Sequence, residues 1–196
     1  MPAAQRQVTR ADLIPDAEFR LQRKERRASL LPRKALRRVA LGPWCTFYFE
    51  CFETMLFQIQ EMLLIEKGGE AQIADELAAY NPLVPQGDEL IATMMIEVED
   101  PVRRARVLAG LGQVERHFEI RVGDERIRGV PETDTERSRE DGKTSAVHFL
   151  RFAFTADQAR AFRDGTAPVT LACDDPRYLH MAGLSAETRA ELAADL

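Results

Sequence analysis

Apolar residues between Phe52 and Glu66 recur at helical spacing, at Met55, Leu56, Ile59, Met62 and Leu63. This spacing places them on one face of a helix, and the glycine pair at 68–69 supplies a stop. A second, shorter helix is predicted from Glu70 to Tyr80, because a residue before a proline leaves helical space. The polar residues of the first helix either serve chemistry or only face water.

Upstream, Pro15-Asp16 predicts the start of a helix, and Pro32 predicts its end near Leu31. The stretch from Val39 to Phe49 keeps its apolar residues on one parity, with a break at Gly42-Pro43. We therefore expect two strand segments joined by a kink or bulge.

The second half alternates between strand and helix patterns. Strands are predicted at 90–98, 114–122, 146–154 and 169–173, with helices that follow Asp100 and Thr155. Leaving aside a short hairpin strand at 125–130, this βαββαβ order is compatible with a ferredoxin-like arrangement. A last helix is capped by Ser185. We therefore expect an α+β fold in which N-terminal helices pack on a mostly antiparallel sheet.

The 196 residues, 45% of them hydrophobic, suffice for one sizeable core, so we expect a single domain over 1–196. Residues 131–145 are charged and lack an apolar period, which predicts a mobile loop. The N-terminus has no apolar h-region, and the longest apolar runs are shorter than a membrane span. These features predict a cytoplasmic protein.

The net charge of −5 hides an asymmetry, because residues 1–38 carry +7 and the remainder carries −12. The positive charge is concentrated between Arg20 and Arg38, in a basic helical segment. Such a segment can bind a polyanion, or its arginines can pair with the acidic remainder of the same fold. We favour pairing, and no nucleic-acid partner is expected, because the segment lacks interleaved aromatic residues.

Gln58 and Glu61, at i and i+3, share a helix face beside the apolar stripe. A carboxylate next to a primary amide can bind a metal or steer a proton, and it can equally face water. Glu50 and Glu53 flank the preceding strand-to-helix junction, where they could bind a cation or cap the helix. No nucleotide-binding, catalytic-triad or dinuclear-metal motif occurs in the sequence.

Histidine and cysteine offer further candidates. His117 is placed on the polar face of its strand, and His148 in a two-sided apolar strand where core histidines are usual. His180 lies in a polar loop with nearby acids and is the best ligand of the three. A site combining Glu50 and Glu61 with His180 or His117 would suit iron, manganese or zinc. The three cysteines, at 45, 51 and 173, have no CxxC spacing and predict neither a disulfide framework nor a zinc knuckle.

The motifs "RRVALGP", "QIQEM..IE", "YNPLVP" and "ATMMIE" resemble a bacterial family known as domain of unknown function 3501. The resemblance extends from "TRADLIP" to the closing "TRAELAADL". Its motifs mark a ligand or partner face consisting of Arg38, Glu50, Gln58, Gln60, Glu61 and Glu66. They also include Gly42, Met62, Tyr80 and Asn81.

Genes of this family often neighbour those for rubrerythrin and for an iron–sulfur oxidoreductase. The resemblance therefore implies an accessory protein that docks onto such a partner and is not catalytic alone. Two alternatives remain open: a metal-dependent enzyme or sensor with a Glu/Gln/His site, and a polyanion-binding protein that uses Arg20–Arg38. Within the motif, the amides could instead bond neighbouring backbone, and Glu61 could pair with an arginine of the basic segment.

Overall fold

An eight-stranded antiparallel sheet forms the centre of the molecule in a computed structural model that describes residues 5–132 and 144–196. Its strands are β1 (Arg38–Leu41), β2 (Cys45–Phe49), β3 (Glu89–Ile96), β4 (Phe118–Val122), β5 (Glu125–Pro131), β6 (Val147–Ala153), β7 (Val169–Cys173) and β8 (His180–Gly183). Their order in the sheet is β1-β2-β3-β6-β5-β4-β7-β8. The sheet curls into a nearly closed barrel, so that the outermost strands β1 and β8 approach each other.

Helices account for most of the remaining described chain. They are α1 (Asp16–Leu36), α2 (Phe52–Glu66), α3 (Glu70–Tyr80), α4 (Pro101–Gly110), α5 (Ala156–Asp164) and α6 (Ala186–Leu192). Short 3-10 turns occupy Arg10–Asp12, Asn81–Leu83, Val114–His117 and Ala193–Asp195. None of the helices in the described ranges is both long and apolar enough to cross a lipid bilayer.

Strand β5 joins the two halves of the barrel. Residues 125–128 pair with β4, and residues 129–131 pair with β6. Gly129 lies where the pairing changes partner. A Cβ at this position would lie 2.8 Å from the Phe152 ring, so the close packing of that ring requires a glycine.

Tyr178 closes the barrel from the segment between β7 and β8. Its buried phenol oxygen accepts hydrogen bonds from the backbone N–H groups of Trp44 and Cys45, both at 2.9 Å. The same hydroxyl donates to the Leu41 carbonyl at 2.6 Å. The Tyr178 hydroxyl thereby hydrogen-bonds to residues on both sides of the turn between β1 and β2. Gly42, with φ +62°, leaves room for the ring of His180 against this turn.

Two apolar clusters stabilise the fold. The first fills the barrel and includes the fully buried rings of Phe47, Phe118, Phe152 and Phe162. The second lies outside the barrel, where Met55, Ile59 and Leu63 of α2 pack towards Ile91 of β3. The α1–α2–α3 layer therefore covers the outer face of the sheet at β2, β3 and β6, and this layer builds the site described below.

Local sequence signals located most elements correctly. The predicted apolar stripe of α2 is buried at its centre, and α3 spans Glu70–Tyr80 as expected. The predicted caps are confirmed at Asp100, Thr155 and Ser185, whose side chains accept backbone N–H bonds at the starts of α4, α5 and α6. The expectation of N-terminal helices on a mostly antiparallel sheet is confirmed.

The predicted end of the first helix near Leu31 is wrong. Helix α1 continues through Pro32 to Leu36. Pro32 removes one main-chain donor, but it lies exposed near the helix end. Beyond it, Arg33 and Arg37 are bound by acidic side chains from α2 and from the C-terminal segment, and these contacts stabilise the last turn.

The predicted kink at Gly42-Pro43 is a hairpin turn, because β1 and β2 pair with each other in antiparallel register, Val39 opposite Phe47. The predicted strand at 114–122 begins only at Phe118, after a 3-10 turn that contains His117. His180 lies in β8 and not in a polar loop, because the short strand β8 pairs with β7, His180 opposite Cys173.

The ferredoxin-like order is not confirmed. A split βαβ unit places one strand between two parallel strands joined by a helix. Here β6 and β5 both separate β3 from β4, so the two strands joined through α4 are antiparallel. The predicted loop at 131–145 lies largely outside the described residues, which resume at Thr144.

Candidate functional site

A cleft of about 650 Å³ opens between α1, α2 and the outer face of the sheet. Ligand pockets in proteins typically have volumes of about 300–1,000 Å³ and combine apolar walls with a few convergent polar groups. The apolar side chains that line this cleft include Met55, Phe57, Met62, Ile65, Met95 and Phe149. Its polar lining includes Arg27, Lys34, Glu50, Gln58, Glu61 and Tyr80.

Strand register builds the floor of the cleft. Tyr48 of β2 lies opposite Thr93 of β3, and Thr93 lies opposite Phe149 of β6, so the three side chains form one row on the outer face. Met95 and Val147 form the next row. Because side chains alternate between faces, the neighbours of these residues fill the barrel while this set faces the helical layer.

Glu50 lies at the inner end of the cleft, at the junction between β2 and α2. Its Oε1 accepts a hydrogen bond from the Thr93 hydroxyl and its Oε2 one from the Thr54 hydroxyl, both at 2.7 Å. The N-terminus of α2, which begins one residue beyond Cys51, also favours a negative charge here. Among the described residues, no lysine or arginine nitrogen lies within 4.0 Å of this carboxylate.

Glu61, the second acid in the cleft, has a cationic partner. Arg23 of α1 contacts it with two parallel bonds, Nε to Oε1 at 2.7 Å and Nη2 to Oε2 at 2.6 Å. The glutamate side chain is 15% exposed and the arginine 43%. The pair raises the pKa of Arg23, chiefly through the hydrogen bond to Glu61. Glu61 therefore both lines the cleft and ties α2 to α1.

The two glutamines of the motif differ in their contacts. Gln60 is buried and points away from the cleft, where its Oε1 accepts from the Ile14 N–H at 2.8 Å and its Nε2 donates to the Ile14 carbonyl at 3.2 Å. This amide bonds neighbouring backbone. Gln58 lines the cleft, and its Nε2 donates a long hydrogen bond of 3.5 Å to the Tyr80 hydroxyl.

Arg37 supports the inner end of the cleft from below. Its buried guanidinium donates to the carbonyl oxygens of Phe49 at 2.9 Å and Glu50 at 2.8 Å, and it pairs with Glu191 and Asp195 near the C-terminus. Burial raises the pKa of the Asp195 carboxyl to about 6, although the arginine charge acts in the opposite direction. Arg37 thus fixes the backbone that carries Glu50.

The other predicted face residues lie elsewhere. Arg38 is exposed on β1 and lies near Tyr48 and Glu97. Glu66 is exposed at the end of α2 and accepts a hydrogen bond from Gln72. Only Glu50, Gln58 and Glu61 of the predicted face share the cleft, while Arg38, Gln60 and Glu66 do not line it.

The histidines are also dispersed. His148 is buried, and its Nε2 lies 2.8 Å from the Thr144 hydroxyl. His117 lies 3.0 Å from Asp174. His180 packs edge-on against the Tyr178 ring at the barrel seam and does not line the cleft with Glu50 and Glu61. Within residues 5–132 and 144–196, no group of three or more His, Cys, Asp or Glu side chains could hold a metal ion.

The cysteines are buried and unpaired with one another. Burial raises the pKa of Cys45 to about 12 and that of Cys173 to about 11. Burial also raises the pKa of Cys51, against the opposing charge of Arg37. Thiols held in this neutral form are poor nucleophiles, so these three positions are typical of structural cysteines.

Sequence reasoning missed the groups that complete the cleft. Thr93 is a visible signal, as the single hydroxyl residue of β3, but nothing local connects it to Glu50, 43 positions earlier. In the sequence, Arg27 and Lys34 stand out only as two charges of the basic segment. Their spacing of seven places them on one face of α1, where they line the cleft.

A family profile described as "Protein of unknown function (DUF3501)" matches residues 7–196. The chain belongs to the DUF3501 family. The sequence resemblance is thereby confirmed. A solved structure from Burkholderia pseudomallei, described as a novel protein of unknown function, is similar to this DUF3501 chain with a TM-score of 0.89. The two are 38% identical, and the similarity covers 96% of this chain and 98% of that one. No curated protein shows a significant match.

Proposed function

We propose that the protein is a binding protein that takes an amphipathic small molecule into the cleft between α1, α2 and the sheet. The observation that carries this proposal is the cleft itself, in which apolar side chains surround the Glu50 carboxylate, which has no cationic partner among the described residues. The described lining contains neither a cysteine nor a histidine. This composition suits recognition of a ligand more than nucleophilic chemistry.

We propose in addition the accessory role that the family resemblance implies. In this extension of the proposal, the ligand-bound protein docks onto a rubrerythrin-like protein or an iron–sulfur oxidoreductase in the bacterial cytoplasm. What supports it is the gene neighbourhood of the family, together with the motif residues Glu50, Gln58 and Glu61 that line the cleft.

Saturable binding of a neutral fluorescent dye, Nile red, tests the cleft. Met62→Trp should fill the opening with an indole and abolish binding, because Met62 lines the cleft from α2. Leu64→Trp is the matched control, since Leu64 lies on the same helix, is also half-buried and is not part of the lining. Unsaturable dye binding to the wild type, or equal binding by both variants, would contradict the proposal.

Anaerobic purification of the tagged protein from its native host tests the accessory role. An iron or iron–sulfur protein should co-purify with the wild type and be depleted with the Met62→Trp variant. Recovery of no such protein from the wild type would remove the accessory role and leave the ligand-binding proposal intact.

A further inference from the structure

Glu50 retains acceptor capacity that the described residues do not use. An ionised carboxylate offers about four lone-pair sites on its two oxygens. The Thr54 and Thr93 hydroxyls occupy one site on each oxygen, at 2.7 Å. Glu50 lines the cleft, so a ligand bound there can reach the remaining sites.

The surroundings hold Glu50 ready for a charged donor. Two hydroxyl donors and the N-terminus of a 15-residue helix stabilise its negative charge without neutralising it. The buried Arg37 fixes its backbone carbonyl, and its own charge is matched by Asp195 and Glu191. The position of the carboxylate is therefore fixed before any ligand arrives, which lowers the entropy cost of binding.

Aromatic rings and thioethers surround the same space. The rings of Phe57, Phe149 and Tyr80 line the cleft together with Met62 and Met95. The faces of aromatic rings attract organic cations, and methionine adapts to the shape of an apolar body. A carboxylate among such side chains is typical of recognition of a protonated amine.

The positive side chains at the opening of the cleft should affect a ligand less than Glu50 does. Arg27 and Lys34 line the cleft from α1, and both are exposed. Exposed charges are screened by salt over about 8 Å at physiological ionic strength, whereas a partly enclosed charge is screened less. The inner carboxylate therefore determines the head group that is preferred.

We propose that the ligand is an organic cation, a protonated amine on an apolar body, whose ammonium group binds Glu50 at the inner end of the cleft. This inference rests on the proposed ligand-binding function and specifies its chemistry. No bond forms or breaks, since the ammonium donates hydrogen bonds to the free lone pairs of the carboxylate while its apolar chain displaces water from the cleft.

A series of probes with one body and different head groups tests the inference. Decylammonium, decanol and decanoate, each below its micelle concentration, should be titrated calorimetrically into the wild-type protein. We expect decylammonium to bind more tightly than decanol by about tenfold or more, which corresponds to about 1.4 kcal/mol. Decanoate should bind more weakly than both.

The Glu50→Gln variant keeps the shape of the side chain and removes its charge. It should lose most of the preference for decylammonium over decanol while its decanol affinity remains. Glu66→Gln is the matched control, because this acid is exposed at the end of α2 and does not line the cleft. It should retain the preference.

The outcomes separate the two proposals. Decanol binding that Met62→Trp abolishes, together with equal or tighter binding of decanoate, would overturn the amine inference and support the cleft. An unchanged head-group preference in Glu50→Gln would also overturn it. Binding of none of the three probes would overturn both proposals. The wild-type series decides the preference even if Glu50→Gln fails to fold.

Discussion

The Tyr178 hydroxyl makes three long-range hydrogen bonds at the seam of the barrel, and removing it should lower stability. Tyr178→Phe keeps the ring that packs against His180 at a centroid distance of 4.5 Å. It deletes the oxygen that accepts from the Trp44 and Cys45 N–H groups and donates to the Leu41 carbonyl. The substitution therefore tests the hydrogen bonds separately from the packing.

The magnitude follows from the groups that are left without a partner. A buried donor or acceptor without a partner costs about 1–3 kcal/mol. Leu41 and Cys45 are buried, whereas Trp44 is half-buried beside an exposed turn, so water can reach its N–H. We therefore expect the free energy of unfolding to fall by about 2–4 kcal/mol, since not all three groups bear the full penalty.

Equilibrium unfolding in urea measures this change. If the free energy of unfolding falls by about 2 kcal/mol per molar urea, the urea midpoint of unfolding should fall by about 1–2 M. Tyr48→Phe is the control, because the Tyr48 hydroxyl donates to Glu97 in an exposed position. Its effect should stay within about 0.5 kcal/mol. A Tyr178→Phe midpoint no lower than that of Tyr48→Phe would refute the view that this phenol closes the barrel.

Three further predictions concern ion pairs of the described chain. Glu61→Gln should lower the free energy of unfolding by only about 0–1 kcal/mol, because its partner Arg23 is 43% exposed; a larger loss in urea unfolding would show a stronger role in joining the helices. Arg37→Met should lower the free energy of unfolding by about 3–5 kcal/mol, because it leaves Asp195 buried and unpaired. Adding Asp195→Asn should restore part of this stability in the same assay. If the effects of the two substitutions simply add, the two residues are not coupled. Asp174→Asn tests the pH dependence of stability. The hydrogen bond from Arg128 holds the pKa of Asp174 at about 2, below its ordinary 3.8. The contribution of Asp174 to the free energy of unfolding is therefore present above pH 3.8 and is lost as the pH falls towards 2. Urea unfolding across this range should show the difference between variant and wild type shrinking with falling pH, and a constant difference would refute the assignment.

Elements with local signals were predictable from the sequence. Thr155 and Gln158 form their capping box within one turn, and Gly165 ends α5 in a left-handed conformation. The same kind of local signal failed at Pro32, where contacts of the following arginines with distant acids outweigh the lost backbone bond. Helix propensity depends on residues that are close in the sequence, whereas these ion pairs form only in the assembled fold.

The barrel and the cleft depend on contacts that no local pattern contains. Strand β8 has four residues, and its exposed positions include Met181, so its sequence lacks an apolar run of strand length. Its place follows from pairing with β7 and from the closure by Tyr178. In the same way, Glu50 and Thr93 meet only because β2 and β3 are neighbours in the sheet.

The fold redistributes the positive charge that is concentrated between Arg20 and Arg38. Arg23 pairs with Glu61, Arg33 with Glu53 and Glu191, Arg37 with Asp195 and Glu191, and Arg38 with Glu97. These acids come from α2, from the residue that follows β3 and from the C-terminal segment, so the basic segment joins distant parts of the chain. A polyanion would have to compete with these pairs for the same guanidinium groups. The pairing of arginines with the acidic remainder, which the charge pattern favours, is therefore present at four positions of the described chain. Arg27 and Lys34 line the cleft from α1, where they would lie close to a ligand that enters it.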